Sequence, residues 1–223
     1  MNKISTIYLF LLSCVLIISS SVSQASTNTE PDTLIKTSTY NLISAIKDSQ
    51  VKLKKDPEVI QDLVLTHIAP QLDFIAAARW VLGKHWRDAD RKQKIRFIKQ
   101  FRKLLIQFYS AALAEYAFNN DIDHDIMTFL PLRQAHDGKD VTVYSVVMPP
   151  NSNKKVQVNY HMHKTRKGWK IYDVAVEGIS MITTYKSSFA PQLRNLGVEG
   201  LTNSLIERNS KLAAKKVSLK SNK

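Results

Sequence analysis

The chain has 223 residues, 44% of them hydrophobic, with only 6 Gly and 7 Pro. That composition fits an ordered, helix-rich globule and excludes a linker or low-complexity protein. Lys and Arg number 32 against 19 Asp and Glu, a formal charge of +13, and Cys14 is the single cysteine. The positive balance suits either an anionic partner or a solvated basic surface.

The N-terminus has the layout of a secretory signal peptide. Lys3 is a short positive segment, Ile4 to Ile18 is almost continuously apolar, and Ser23-Gln24-Ala25 has small residues where a signal peptidase needs them. Cleavage is expected after Ala25. The apolar run of about 15 residues is short for a bilayer span, which takes about 20. Leu11-Leu12-Ser13-Cys14 faintly resembles a lipoprotein cleavage box, but Val15-Leu16-Ile17-Ile18 stays apolar past the cysteine. Residues 1–25 are therefore expected to leave, taking Cys14 with them. The mature chain then has no disulfide, thiol nucleophile or cysteine metal site. About 198 residues remain, enough for one core. Export also directs the positive charge toward phospholipid headgroups, lipopolysaccharide or acidic proteins and away from nucleic acid.

Asp32 can cap a helix over about 33–54, with Leu34, Ile35, Leu42, Ile43 and Ile46 on its apolar side. Asp56-Pro57 ends it and opens another, with Pro57 at the first helical position and Val59, Ile60, Leu63, Val64 and Ile68 along it. Asp73 can cap a short helix, Phe74 to Leu82, and Gly83 suits its C-terminal cap. The longest helix starts at Asp90, where Gln93 completes a capping box. Ile98, Phe101, Leu105, Phe108 and Ala112 recur at helical spacing, supported by Phe97, Leu104, Tyr109 and Tyr116. Lys92, Arg96, Lys99 and Lys103 form a basic stripe on another side. This pattern predicts a helix laid across a sheet.

After Asn119 the period changes. Ile126 to Leu132 reads as a strand, Asp137-Gly138 as a turn, and Val141 to Met148 alternates. Pro149 to Asn153 is a polar loop. Val156, Val158, Tyr160 and Met162 then alternate with Gln157, Asn159, His161 and His163, a half-buried antiparallel strand. A turn at Thr165 to Gly168 leads into Trp169 to Val176. Ser180 can cap a helix to about Phe189, and Gly200 to Asn209 forms a last one. The basic segment 211–223 is expected to fray. The layout is α+β: N-terminal helices packed on one face of a curved antiparallel sheet, then C-terminal helices.

No nucleophile elbow, phosphate loop or dinucleotide fingerprint is present. His161 and His163 share a strand face and can seed a metal site, but no third ligand has matching spacing. Asp173 beside Tyr172, with Tyr160 on a neighbouring strand, can serve proton transfer or be a strand-edge carboxylate paired with Lys170. The larger signal is apolar supply from two directions. The long helix offers Phe97, Phe101, Leu105, Phe108 and Tyr109. The strands offer Val143, Val156, Val158, Tyr160, Val174 and Val176. The short helix adds Ile75, Trp80 and Val81. Such a pattern describes a filled core and an open pocket equally well.

One family gathers these segments. Ala78 to Arg87 resembles its "LG-basic-x-W" helix end, and Gln93, Phe97, Phe101, Leu105 and Tyr109 match the spacing of its long helix. Trp169 to Ser180 resembles its "W-K-x-x-D-V-x-x-E-G-x-S" signature, followed by Tyr185-Lys186-Ser187-Ser188-Phe189 and Gly197-Val198-Glu199-Gly200-Leu201. The chain departs from the pattern at Lys186, where arginine is expected, and at His85, where an aromatic is usual. With these motifs in order over about 31–209, it resembles the MlaC family of periplasmic phospholipid-binding proteins, also called the toluene-tolerance family. The resemblance implies a twisted sheet of the nuclear-transport-factor-2-like group and a small helical subdomain at about 57–88, within one domain over 26–210. It also implies an apolar cavity for phospholipid tails, lined by the apolar residues above together with Ile179. It implies no catalysis, cofactor or metal. Its implied partners are phospholipid, an inner-membrane ABC-type transporter with its periplasmic substrate-binding subunit, and an outer-membrane lipoprotein–porin complex. Two other readings stand beside it: an enzyme on the same fold using Asp173 and Tyr160, and an adaptor with a filled core.

Overall fold

The computed structural model describes residues 29–56, 58–132, 138–149 and 154–221. The expected signal peptide, Pro57 and Asp137 lie outside these residues. Helix α1 spans Pro31–Asp48, with Pro31 in its first turn, where a missing N–H costs nothing. It therefore starts before Asp32, and Ser49 separates it from the short α2, Gln50–Lys55. Helix α3 is Val59–His67 and leads through a 3-10 turn at Ala69–Gln71 into α4, Phe74–Leu82. The Asp73 carboxylate accepts from the Ile75 and Ala76 N–H groups at one end of α4, and Gly83 turns left-handed (φ 54°) at the other. Helix α5 is His85–Asp88. Helix α6, Arg91–Asn119, opens with the expected capping box: Gln93 N–H donates to Asp90, and Asp90 N–H donates to the Gln93 side chain.

A 3-10 turn at His124–Ile126 precedes the sheet, which has strands β1 Met127–Phe129, β2 Asp140–Val147, β3 Val156–Thr165, β4 Gly168–Val176 and β5 Ile179–Ser180. β1 is shorter than the sequence suggests. The strands lie side by side in chain order, each antiparallel to its neighbour, so the fold is α+β with a meander. Helix α7, Met181–Ser221, closes the fold with a break at Gly197 (φ 65°, ψ −171°). It runs on through Pro191 and past Lys211, where the sequence reading expects gaps and fraying.

Register decides which side chains share a face. Val143 pairs with Tyr160 and Tyr160 with Val174, and Val158 pairs with Val176. Directly opposed residues point the same way. A bulge shifts the register of β4 between the Ile171↔Met162 and Asp173↔His161 pairs, leaving Tyr172 as the extra residue. It puts Ile171 and Val174, three residues apart, on one face. That face is apolar, with Phe129, Val143, Val158, Tyr160, Met162, Ile171, Val174 and Val176. Thr142, Asn159, His161 and Asp173 line the other.

The core falls into three clusters. Phe97, Phe101, Leu104 and Leu105 of α6 pack with Ala78, Val81 and Leu82 of α4 and with Phe189, Leu193 and Leu201 of α7. Ile106, Ala114 and Ala117 of α6 pack with Leu42, Ile43 and Ile46 of α1 and with α3. Val143, Met162, Trp169 and Ile171 of the sheet pack with Ile35 of α1. The expected stacking of the α6 aromatic row on the strand valines is therefore replaced by helix–helix packing. Helix α6 buries one side in its first half and nearly the opposite side in its second. The row begun by Phe101 and Leu105 thus emerges into the open at Phe108, Tyr109 and Ala112.

Candidate ligand-binding site

The site is built where β4 turns through β5 into α7. Glu177 and Gly178 both have positive φ (50° and 78°), the two-residue hairpin geometry that matches strand twist. Glu177 fixes the turn to β3: its N–H donates to the Gln157 carbonyl at 2.9 Å, and its carboxylate accepts from the Gln157 N–H at 2.5 Å. The buried Asp173 carboxylate accepts from the Ser180 hydroxyl at 2.6 Å and the Ile182 N–H at 3.0 Å. The Ser180 hydroxyl oxygen in turn accepts from the Thr183 N–H. These bonds satisfy free donors at the start of α7 and set a negative charge at its positive end. The signature running from Trp169 to Ser180 is thus an architectural joint: Trp169 fills the sheet core, and Asp173, Glu177, Gly178 and Ser180 set the angle at which α7 leaves the sheet.

Above this joint, the Tyr109 hydroxyl of α6 hydrogen-bonds Tyr185 of α7, and the Asp173 carboxylate acts on the Tyr109 phenol. Burial, reinforced by Tyr109, pushes the Tyr185 phenol up to about 12. Burial likewise raises the Tyr109 phenol. The bond ties α6 to α7. Phe108 packs edge-on against Tyr109, with centroids 5.2 Å apart. Both rings are 47% exposed; on the sheet, Val176 (45%) and Ile179 (69%) are also exposed. Val158, Tyr160 and Val174 continue the apolar face inward, half-buried. Tyr160 stacks on Phe129, its hydroxyl donates to Met127 Sδ at 3.8 Å, and burial raises its phenol too. Apolar surface left open beside a filled core marks a contact site for an apolar ligand.

The sequence-predicted residues separate into three groups. Val143, Val156, Val158, Tyr160, Val174 and Val176 share the apolar sheet face, with Val143 fully buried. Val81, Phe97, Phe101 and Leu105 lie in the α4–α6–α7 cluster at 0–5% exposure. Trp80 is 58% exposed on the outside of α4, and Phe108, Tyr109 and Ile179 are open as described. Sequence reasoning left out Ile171, whose place the bulge decides, and Tyr185, which lies in one of the quoted motifs.

The alternative chemistry fails on geometry. Tyr160 pairs with Val174, whereas Asp173 pairs with His161, so Asp173 and Tyr160 point to opposite faces of the sheet. Asp173 does not pair with Lys170 either, because Lys170 Nζ donates to the Pro70 carbonyl. His163 Nε2 lies 2.9 Å from Asp73 Oδ2, and His161 Nδ1 lies 3.1 Å from the Thr142 hydroxyl. Among the described residues, no group of three or more His, Cys, Asp or Glu is placed to hold a metal ion.

Comparison with known proteins gives this surface a context. The chain is 24% identical over 203 residues to the intermembrane phospholipid transport system binding protein MlaC of Haemophilus influenzae, covering 90% of each. It is 26% identical over 168 residues to toluene tolerance protein ttg2D of Pseudomonas putida, covering 75% of this chain and 74% of that one. Its fold matches a phospholipid-binding protein from Ralstonia solanacearum, solved in complex with a phospholipid. That match has a TM-score of 0.71 and 31% identity, covering 83% of this chain and 99% of the other. The family model described as MlaC protein matches residues 36–207, most of the sequence, and the chain belongs to the MlaC family.

Proposed function

We propose that this protein is a periplasmic phospholipid carrier that shuttles lipid between outer-membrane and inner-membrane complexes and so maintains outer-membrane lipid asymmetry. The observation that carries the reading is the apolar sheet face on which Val158, Tyr160 and Val174 lead out to the exposed Val176 and Ile179. It is supported by the structural relative solved with a phospholipid bound. Two acyl chains of about 15 methylenes each, at about 0.8 kcal/mol per methylene, represent on the order of 20 kcal/mol of gross apolar burial. A phospholipid cannot cross water at that cost, so a carrier must cover both tails. Covering them needs no bond cleavage, which agrees with the separated Asp173 and Tyr160. The protein is therefore no enzyme in this reading.

The partners are an inner-membrane ABC-type transporter with its periplasmic substrate-binding subunit and an outer-membrane lipoprotein–porin complex. Residues 1–25 direct export and are removed. Transfer between complexes requires an opening motion, and the short helix α4, which ends at the left-handed Gly83, is the element that moves in this reading. Uptake by delipidated protein from vesicles holding a fluorescent phospholipid tests the carrier reading. Transfer that saturates with protein supports it, and no transfer by folded protein overturns it.

A further inference from the structure

The cargo site leaves one group of motif residues without a role. The exposed side of α4 carries Ile75 (60%) and Trp80 (58%), about 140° apart around the helix, two large apolar side chains that join none of the three core clusters. Arg79 lies one turn from Ile75, and Lys84 follows Gly83 just past the end of α4, both exposed. Lys186 reaches across from α7: its Cε comes within 3.4 Å of where a Cβ on Gly83 would lie, at the end of α4. The ion pairs among the described residues include none of these three cations. No Asp or Glu occurs between Phe74 and Arg87, and none between Met181 and Val198. Asp73, just before α4, is occupied by two α4 N–H groups and His163, and Asp88 follows at the far end of α5.

We propose that this face of α4, with Ile75 and Trp80 ringed by Arg79, Lys84 and Lys186, docks the protein on an anionic phospholipid bilayer. An indole suits the boundary between headgroups and acyl chains, being apolar in body and polar at its N–H. Cations beside it meet lipid phosphates, and the absence of carboxylates removes repulsion from the membrane. Two apolar anchors are few for a shape-matched protein interface, which takes about 20–30 residues a side. A bilayer needs no shape match, and weak anchoring allows release. The inference is independent of which molecule fills the cargo site.

The test uses vesicles of phosphatidylcholine alone and of an equal mixture with phosphatidylglycerol. The protein co-sediments with the mixed vesicles only, less so as salt rises, and Trp80 emission shifts to shorter wavelength on binding. Trp169 is 3% exposed, and Trp86 is partly buried against the α4–α6–α7 cluster under Lys94, so both contribute little to that shift. Each cation near such a surface contributes about fivefold in affinity. Arg79→Gln, Lys84→Gln and Lys186→Gln together lower binding about a hundredfold, and Trp80→Ala abolishes the emission shift. Both variants keep their bound lipid and their circular dichroism. A control variant, Lys92→Gln with Lys99→Gln and Lys103→Gln, removes as many charges from α6 and keeps most of the binding. Equal loss in the control would reduce the effect to bulk charge and overturn the proposal. Loss of cargo from Trp80→Ala would assign Trp80 to the lipid site and overturn it too. Absence of vesicle binding, with the α4 cations needed instead for capture by an acidic protein domain, would replace the membrane with a protein partner.

Discussion

Val176→Glu separates a ligand-lining role from a structural one. Val176 is 45% exposed at the end of β4, so a carboxylate there stays hydrated in the empty protein. The expected change in folding stability is within about 0.5 kcal/mol. An acyl chain lying against the same position strips that water. The effective penalty for desolvating one unpaired ion is several kcal/mol, and even about 3 kcal/mol lowers affinity on the order of a hundredfold. Protonation relieves the penalty. The apolar contact disfavours the charged form and raises the new carboxyl's pKa in the loaded state. Uptake by the variant therefore recovers as pH falls, while the native protein shows no such dependence from this position. The assay is fluorescent-lipid uptake at neutral and acid pH, beside a thermal melt. Native uptake at neutral pH by a folded Val176→Glu protein would show that this face does not touch the tails.

Phe101→Ala, at 0% exposure in the α4–α6–α7 cluster, is expected to cost about 3–5 kcal/mol in denaturant unfolding. A small cost would mean that its ring faces open space rather than a filled core. Asp173→Ala removes two bonds from the start of α7 and is expected to destabilise the protein by about 1–3 kcal/mol. At its size that lowers the melting temperature by about 2–4 °C per kcal/mol. Lipid uptake by Asp173→Ala below its melting point remains near native, and abolished uptake by the folded variant would point to a direct role. The Tyr185 phenol is raised from 10.0 to about 12 by burial and Tyr109, so the folded state holds its proton longer than the unfolded chain. Its stabilising contribution is complete below about pH 10 and declines as pH rises toward 12. Tyr185→Phe removes that part of the alkaline slope, and an unchanged slope in melts across this range would contradict the assignment.

The features legible in the sequence were those decided within a few residues. Asp73 before α4 and Asp90 with Gln93 before α6 form the expected caps because capping bonds span only two or three positions. The β2–β3 alternation gave the correct faces because their register runs unbroken from Val147↔Val156 to Asp140↔His163. Face assignment in β4 was not legible, because one extra residue, Tyr172, reverses the parity between Ile171 and Val174. The partners of α6 were not legible either. Phe97, Phe101 and Leu105 have the period of a buried row, but periodicity names a buried side and not the element that covers it. The change of buried side near Ile106, which leaves Phe108 and Tyr109 open, is a tertiary outcome. Continuation of α7 through Pro191 was not legible, because it depends on Phe189 and Leu193 packing on α6 and α4 from either side of it.

The central claim is that the open apolar face of the sheet, from Tyr160 and Val174 out to Val176 and Ile179, carries phospholipid. Native mass spectrometry of protein purified from its own periplasm, followed by organic extraction, measures this directly. The account predicts a stoichiometric phospholipid, lost on extraction and regained from vesicles. Protein that is folded, lipid-free as isolated and unable to take up lipid from vesicles would contradict it.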